Sequence, residues 1–234
     1  MSILSAQSIC KLCMPTRWIM DAGTGGPVSV PQDPMITPFY KRSVSTSGKS
    51  FGLSSCSYDI RVANFKVLGT KEPVDHVRMQ NGDFVLACSI ERIKMPHNVV
   101  AIVHDKSSWA REGLALQNTL LDPGWEGFIT LELSYHRPAH HIVLKAGDPI
   151  AQLKFEWLDE ATEQPYSGKY QDQPAIPVEA LQEGQKPDVA WNRTETPANE
   201  MDNDRDRGSN STVKTLELDD AEQGALDAMR SGES

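Results

Sequence analysis

At 234 residues and 39% hydrophobic content, the chain is long enough to bury one sizeable core and carry an appendage. Its formal net charge of −9 excludes a general nucleic-acid coat, because binding by phosphate neutralisation needs clustered Lys and Arg. No run approaches the roughly 18 apolar residues of a membrane span, and "MSILSAQSIC" has no basic region leading into an apolar stretch, so a cytoplasmic protein is expected.

Four cysteines, Cys10, Cys13, Cys56 and Cys88, are too few and too scattered for a disulfide framework, and reduced thiols are expected. Cys10 and Cys13 form a C-x-x-C, half of a zinc site or a redox pair. No second C-x-x-C follows to complete it, and "SAQSICKLCM" spaces its apolar residues as a short helix near 4–13. Strands are predicted at 83–96, after the Asn81-Gly82 turn, and at the β-branched run 98–105. A helical piece follows at 107–111, where serine can cap free backbone N–H groups. Alternation returns at 127–135, and 141–158 reads as two strands joined at Ala146-Gly147-Asp148. Short strands with turns between them predict a compact β-barrel or distorted sandwich for residues 1–180. From Leu181 to Ser234 there are 13 acidic and six basic residues, which concentrates the excess charge in the tail. Few large apolar residues interrupt it, so disorder is expected, with a short helix near 219–230 between early acids and a late Arg230. The tail is read as a solvated appendage, with a partner-binding peptide as the alternative.

Two stretches carry chemistry. In "DKSSWAR", Lys106 and Arg111 supply cations and Ser107 and Ser108 hydroxyls, groups that suit phosphate oxygens; an ordinary charged surface helix would look much the same. In "LLDPGWEGFITLEL" a turn at Asp122-Pro123-Gly124 precedes a strand whose Ile129, Leu131 and Leu133 share one face while Phe128, Thr130 and Glu132 share the other. Taken alone, a glutamate there is solvent-facing.

Five segments in order, "CSYDIRV" (56–62), "DKSSWAREGL" (105–114), "LDPGWEGFITLEL" (121–133), "AGDPIAQLKF" (146–155) and "PYSGKYQDQ" (165–173), resemble the successive motifs of the dCTP deaminase family, within the dCTP deaminase and trimeric dUTPase superfamily. The resemblance implies a distorted, dUTPase-like β-barrel of the β-clip type with short helices, assembled as a homotrimer with active sites shared between subunits. It implies hydrolytic deamination of dCTP or a close deoxycytidine nucleotide to dUTP and ammonia, without zinc. The zinc deaminases' H-x-E and P-C-x-x-C are absent from the sequence. By the family's pattern Glu132 is the base that activates water, Ser107 helps hold that water, and Arg111 orients the site. Lys106 and Ser108 grip phosphates, Asp122 meets the 3′-hydroxyl, and Tyr166, Lys169, Tyr170 and Gln173 belong to a segment that closes over the nucleotide. Mg²⁺ is expected to arrive bound mainly through the triphosphate. Asp59 and Arg61 are read as a partly buried pair fixing an interface. Two departures concern the base pocket: the segment 112–121 is shorter than usual, and Trp109, a candidate filler, stands where a smaller aliphatic residue is typical. A dUTP diphosphohydrolase, a bifunctional enzyme making dUMP, and a catalytically silent nucleotide-binding regulator remain alternatives.

Overall fold

Along each long strand the side chains alternate faces, so a strand that buries one face commits every second residue to the core. The computed structural model describes residues 2–14, 16–20 and 27–186, all within one contact unit, Met1–Trp191. Strand β1 (Ser2–Ile3) leads into helix α1 (Ala6–Leu12), where Ser5 accepts from the Ser8 N–H and Ile9 is fully buried. Strands β2 (Thr16–Met20) and β3 (Pro27–Pro31) pair with each other. The short β4 (Ile36–Thr37), β5 (Ser43–Val44) and β6 (Ser50–Leu53) precede two eleven-residue strands, β7 (Ser57–Val67) and β9 (Phe84–Lys94), with β8 (His76–Gln80) between them. After β10 (Val99–Asp105) come helix α2 (Ser107–Ala110), β11 (Leu114–Leu116), β12 (Leu120–Leu121), β13 (Glu126–Tyr135), β14 (His141–Lys145) and β15 (Pro149–Trp157).

The main sheet runs β11-β13-β9-β7-β15-β10-β12 through antiparallel ladders, with β1, β4, β5 and β6 attached beside this path. Register shifts at Val62/Asn64, Phe128/Thr130 and Pro149/Ala151 bend it, since an extra residue on one strand raises the local twist. The bending brings β11, the first strand of this path, back beside β10. Leu116 N–H donates to Asp105 Oδ1 at 2.7 Å and Val103 N–H donates to Thr119 O at 2.9 Å, so the mostly β sheet curls into a distorted barrel around Tyr58, Phe65, Met79, Ile129, Tyr135 and Phe155, none more than 2% exposed. Each such side chain contributes about 1.5–3 kcal/mol by leaving water.

The predicted strands at 83–96, 98–105 and 127–135 correspond to β9, β10 and β13. The 141–158 region does form two strands, but Gly147, at φ 90°, turns the chain from one sheet to another: β14 pairs with β8 and β15 with β7 and β10. The helical piece begins at Ser107, and its N-cap is Lys106 in an extended conformation with no side-chain cap, so neither serine caps it. Asp59 and Arg61 do not pair with each other. Residues two apart on a strand are separated by roughly 6.6 Å of rise, farther than a cross-strand neighbour at about 4.5–5.5 Å, and each finds its partner across the sheet. Both carboxylate oxygens of the fully buried Glu91 accept from Arg61, from its backbone N–H and its Nε, at 2.8 Å each. The guanidinium packs against the rings of both Tyr40 and Phe51, 4.6 and 4.5 Å from their centroids. Burial pushes the Glu91 carboxyl up from the usual range and Arg61 opposes that shift. Burial likewise works against the Arg61 charge, but Glu91 prevails and holds its pKa above the usual value.

The expected helix near 219–230, and all of the acidic tail beyond 186, lie outside the described residues. Residues 181–186 fold back onto the body, where Leu181 N–H donates to the Tyr170 hydroxyl at 3.0 Å. No helix among the described residues is long and apolar enough to cross a membrane.

Candidate active site

The outer face of β13 and β9 is not left to solvent. Residues 165–181 run across it as a strap, and between strap and sheet lies a cavity of about 680 Å³. Its polar lining includes Asp122, Thr130, Glu132, Tyr166, Tyr170 and Gln173. Leu86, Leu120, Leu121 and Trp125 supply apolar walls.

Glu132 stands opposite Leu86 in the β13–β9 ladder, on the face away from Leu131 and Leu133. Its backbone carbonyl accepts from Gln117 N–H at 2.9 Å, which ties it to the loop after β11. Burial pushes its carboxyl above the usual carboxylate range, with its own backbone N–H opposing, and no cation among the described residues pairs with it. A half-buried carboxyl without a counter-charge binds a proton more readily than one in water, a property that suits a general base.

Asp122 opens the turn that the sequence shows, its carbonyl accepting from Trp125 N–H at 3.0 Å. Two glycines in this motif admit the strap. A Cβ on Gly124 would lie 2.6 Å from Pro165 Cβ, and one on Gly127 would lie 2.6 Å from Gln173 N, at φ values of 84° and 148°. Gln173 is held where it passes Gly127: its carbonyl accepts from Phe128 N–H at 3.1 Å, and its side-chain oxygen accepts from the Thr130 hydroxyl at 3.3 Å. Tyr166 N–H donates to Pro123 O at 2.8 Å, and the Tyr166 hydroxyl accepts from Tyr170 N–H at 3.1 Å. The indole N–H of Trp125 donates to Tyr170 O at 2.8 Å. Further along, Lys66 pairs with Glu179 at 2.9 Å and Lys169 with Glu183 at 3.1 Å.

Five of the ten residues singled out in the sequence therefore line one cavity: Asp122, Glu132, Tyr166, Tyr170 and Gln173. Lys106, Ser107, Ser108, Arg111 and Lys169 do not line it. Ser107 on α2 and Arg111 at its C-cap are exposed, and the Ser108 hydroxyl is buried with no hydrogen-bond partner. Lys106 is 8% exposed and bonded to Asp59, whose other oxygen accepts from Gln152 Nε2 at 3.0 Å. Trp109 fills the core beside β15, its indole N–H donating to Pro149 O at 2.7 Å, and is not part of the cavity wall. Sequence reasoning missed Thr130 and Trp125 as cavity residues and Glu91 as the partner of Arg61. The two glycines were the available signal for the strap.

Cys10 is half-buried and Cys13 buried at the end of α1, where burial pushes the Cys13 thiol up to about 12. Among the described residues no group of three or more His, Cys, Asp or Glu side chains is placed to hold a metal ion.

A family model described as dCTP deaminase-like matches residues 70–158. The dCTP deaminase of Campylobacter hominis is 39% identical over 173 residues, covering 65% of this chain and 90% of that protein. The dCTP deaminase of Acidobacterium capsulatum is 33% identical over 186 residues, covering 70% of this chain and 97% of that protein. Among solved structures, the 2′-deoxycytidine 5′-triphosphate deaminase of Agrobacterium tumefaciens aligns with a TM-score of 0.40 at 19% identity, over 45% of this chain and 40% of that one. Similarity that spans nine-tenths or more of two such relatives, at 39% and 33% identity, shows that the chain belongs to the dCTP deaminase family.

Proposed function

We propose that this protein hydrolyses the C4 amino group of dCTP, or of a close deoxycytidine nucleotide, giving dUTP and ammonia. The observation that carries the reading is Glu132, a half-buried carboxyl that no cation among the described residues pairs with, on the wall of a nucleotide-sized cavity. The relatives named dCTP deaminase supply the substrate.

Glu132 takes a proton from water as the water oxygen bonds to C4 of cytosine. The carboxyl returns that proton to ring N3, then carries the proton of the new C4 hydroxyl to the exocyclic nitrogen, and the C4–N bond breaks as the C4 carbonyl forms and ammonia leaves. Asp122 accepts a hydrogen bond from the 3′-hydroxyl. Tyr166, Tyr170 and Gln173 hold the strap over the nucleotide, and Lys169 exchanges Glu183 for a phosphate oxygen. Mg²⁺ enters as part of the substrate, bound through the triphosphate.

The α2 side chains do not reach this cavity from their own chain, which supports a site completed by a second copy. In this reading a homotrimer turns α2 of one subunit toward the cavity of the next. Ser107 then holds the attacking water, while Ser108 and Arg111 orient the nucleotide through its outer phosphates. Lys106, already bonded to Asp59, contributes charge from behind α2. The test is incubation with dCTP and, separately, dUTP in the presence of Mg²⁺, with ammonia and pyrophosphate measured independently. Ammonia released from dCTP in step with dUTP is expected. No ammonia overturns the proposal, and pyrophosphate with dUMP from dUTP reassigns the site to diphosphohydrolysis.

A further inference from the structure

We propose that Lys49 is a positioning residue for α2, an inference that rests on the reading in which α2 side chains meet the phosphates. A helix of four residues is one turn. Nucleation is unfavourable without many propagating bonds, and this turn lacks a side-chain N-cap, so tertiary contacts must hold its shape. Beside the bonds of Trp109 to Pro149 and of Lys106 to Asp59, contacts come from the hairpin of β5 and β6.

Lys49, just before β6, places its ammonium 3.6 Å from the centroid of the Trp109 ring and 2.9 Å from Glu112 Oε1. The first distance is well inside the roughly 6 Å reach of a cation–π contact. Trp109 is 4% exposed and tied through its indole N–H to Pro149, so the ring is an anchored platform. Glu112 N–H donates to Trp109 O at 2.9 Å, which closes the turn after α2. The next hairpin residue, Ser50, has its hydroxyl 3.4 Å from Lys106 Nζ, and Lys106 is bonded to Asp59. The start of β6 thus touches both ends of α2, Ser50 in front and Lys49 behind. Arg111 lies between the two residues that Lys49 grips and has no ion-pair partner among the described residues. Lys49 itself is 17% exposed, with its charge shared between Glu112 and the indole. It orients the phosphate-facing side chains rather than touching phosphate.

The test uses the full chain in a Glu132→Gln background, which binds without turning over. Dissociation constants are measured for dCTP with Mg²⁺ and for dCMP, along with amide hydrogen exchange at residues 107–113. Lys49→Met keeps the aliphatic stem and removes the charge. It is expected to weaken dCTP about tenfold or more, the cost of misplacing a charge-assisted hydrogen bond, while dCMP changes by less than about twofold. Exchange at 107–113 should accelerate. Lys49→Arg should restore both readouts, because a guanidinium stacks on Trp109 and pairs with Glu112. If Lys49→Met fails to fold, Glu112→Gln is measured against the same outcomes. An unaltered preference for dCTP over dCMP, or equal losses for both nucleotides, overturns the proposal. If the wild-type chain binds neither nucleotide and releases no ammonia, the deaminase reading fails instead, and unaltered exchange in Lys49→Met then overturns the positioning role by itself.

Discussion

Glu132→Gln separates the chemistry of the cavity from its architecture. Glutamine keeps the length and planarity of the side chain but cannot take a proton from water. A general base is worth about 10² to 10⁴ in rate, or roughly 3 to 5.5 kcal/mol of barrier at 1.36 kcal/mol per decade. A carboxyl that both activates water and returns protons to the leaving amine belongs at the upper end. Burial raises the Glu132 pKa above the usual range, and this fixes two signs. For catalysis, kcat/KM of the wild type should fall toward acid as the carboxylate takes up a proton, along a limb lying above the ordinary glutamate range. Whatever activity the variant retains should lack that limb. For stability, a carboxyl whose folded pKa exceeds its unfolded value contributes fully below the unfolded pKa and loses that contribution as pH rises through the folded pKa. The variant should therefore melt at or above the wild-type temperature at neutral pH, with the gap closing toward acid. Ammonia release from dCTP, its pH profile and calorimetric Tm are the measurements. More than about a tenth of wild-type turnover in Glu132→Gln would refute the proton-transfer role.

Three further outcomes are expected. Co-expressed, differently tagged Glu132→Gln and Arg111→Ala subunits should recover about a quarter of wild-type turnover, because random assembly into a closed ring pairs an intact Glu132 with a neighbour's intact Arg111 at that frequency; no recovery would confine the site to one chain. Glu91→Gln leaves the Arg61 guanidinium buried without its counter-charge and should cost about 3–5 kcal/mol in denaturant unfolding, whereas a loss under ~1 kcal/mol would show the pair to be dispensable. Gly127→Ala puts a methyl group 2.6 Å from Gln173 N at a φ of 148°, so the strap must lift and the strained backbone should lower Tm, while KM for dCTP rises several-fold; an unchanged KM would show that the strap does not cover bound nucleotide.

The strands were legible because burial on one face leaves a period of two. Ile129, Leu131 and Leu133 mark the inner face of β13, and the same alternation put Glu132 on the other side without any reference to what lay there. What that side holds was not legible. Phe128 and Thr130 share the outer face, yet they are only 8% and 9% exposed, because residues more than forty positions later return across them. Alternation reports which residues are in register with one another. It does not report whether the second face meets water or a returning segment.

The same limit explains the polar groups. Glu91 sits in "CSIERIK", where a charged residue among apolar ones looks like the solvent side of a half-buried strand, and it is fully buried because Arg61, thirty positions earlier, faces it. Lys106 looks like a phosphate ligand and is bonded to Asp59, forty-seven positions earlier. In both cases the residue type was informative and its partner was not, since ion pairing in a sheet is set by strand order rather than by neighbours in sequence. The glycines of "DPGWEG" differ because they constrain their partner. A residue at φ 148° with no room for a Cβ requires some backbone to pass at close range, and that requirement is written at Gly127 whichever segment meets it. In this chain a register shift between Phe128 and Thr130 intervenes, and the strap that Gly127 admits lines one cavity with Glu132. Coverage removes water and raises proton affinity in one step, which makes closure of the strap and the basicity of Glu132 a single structural property.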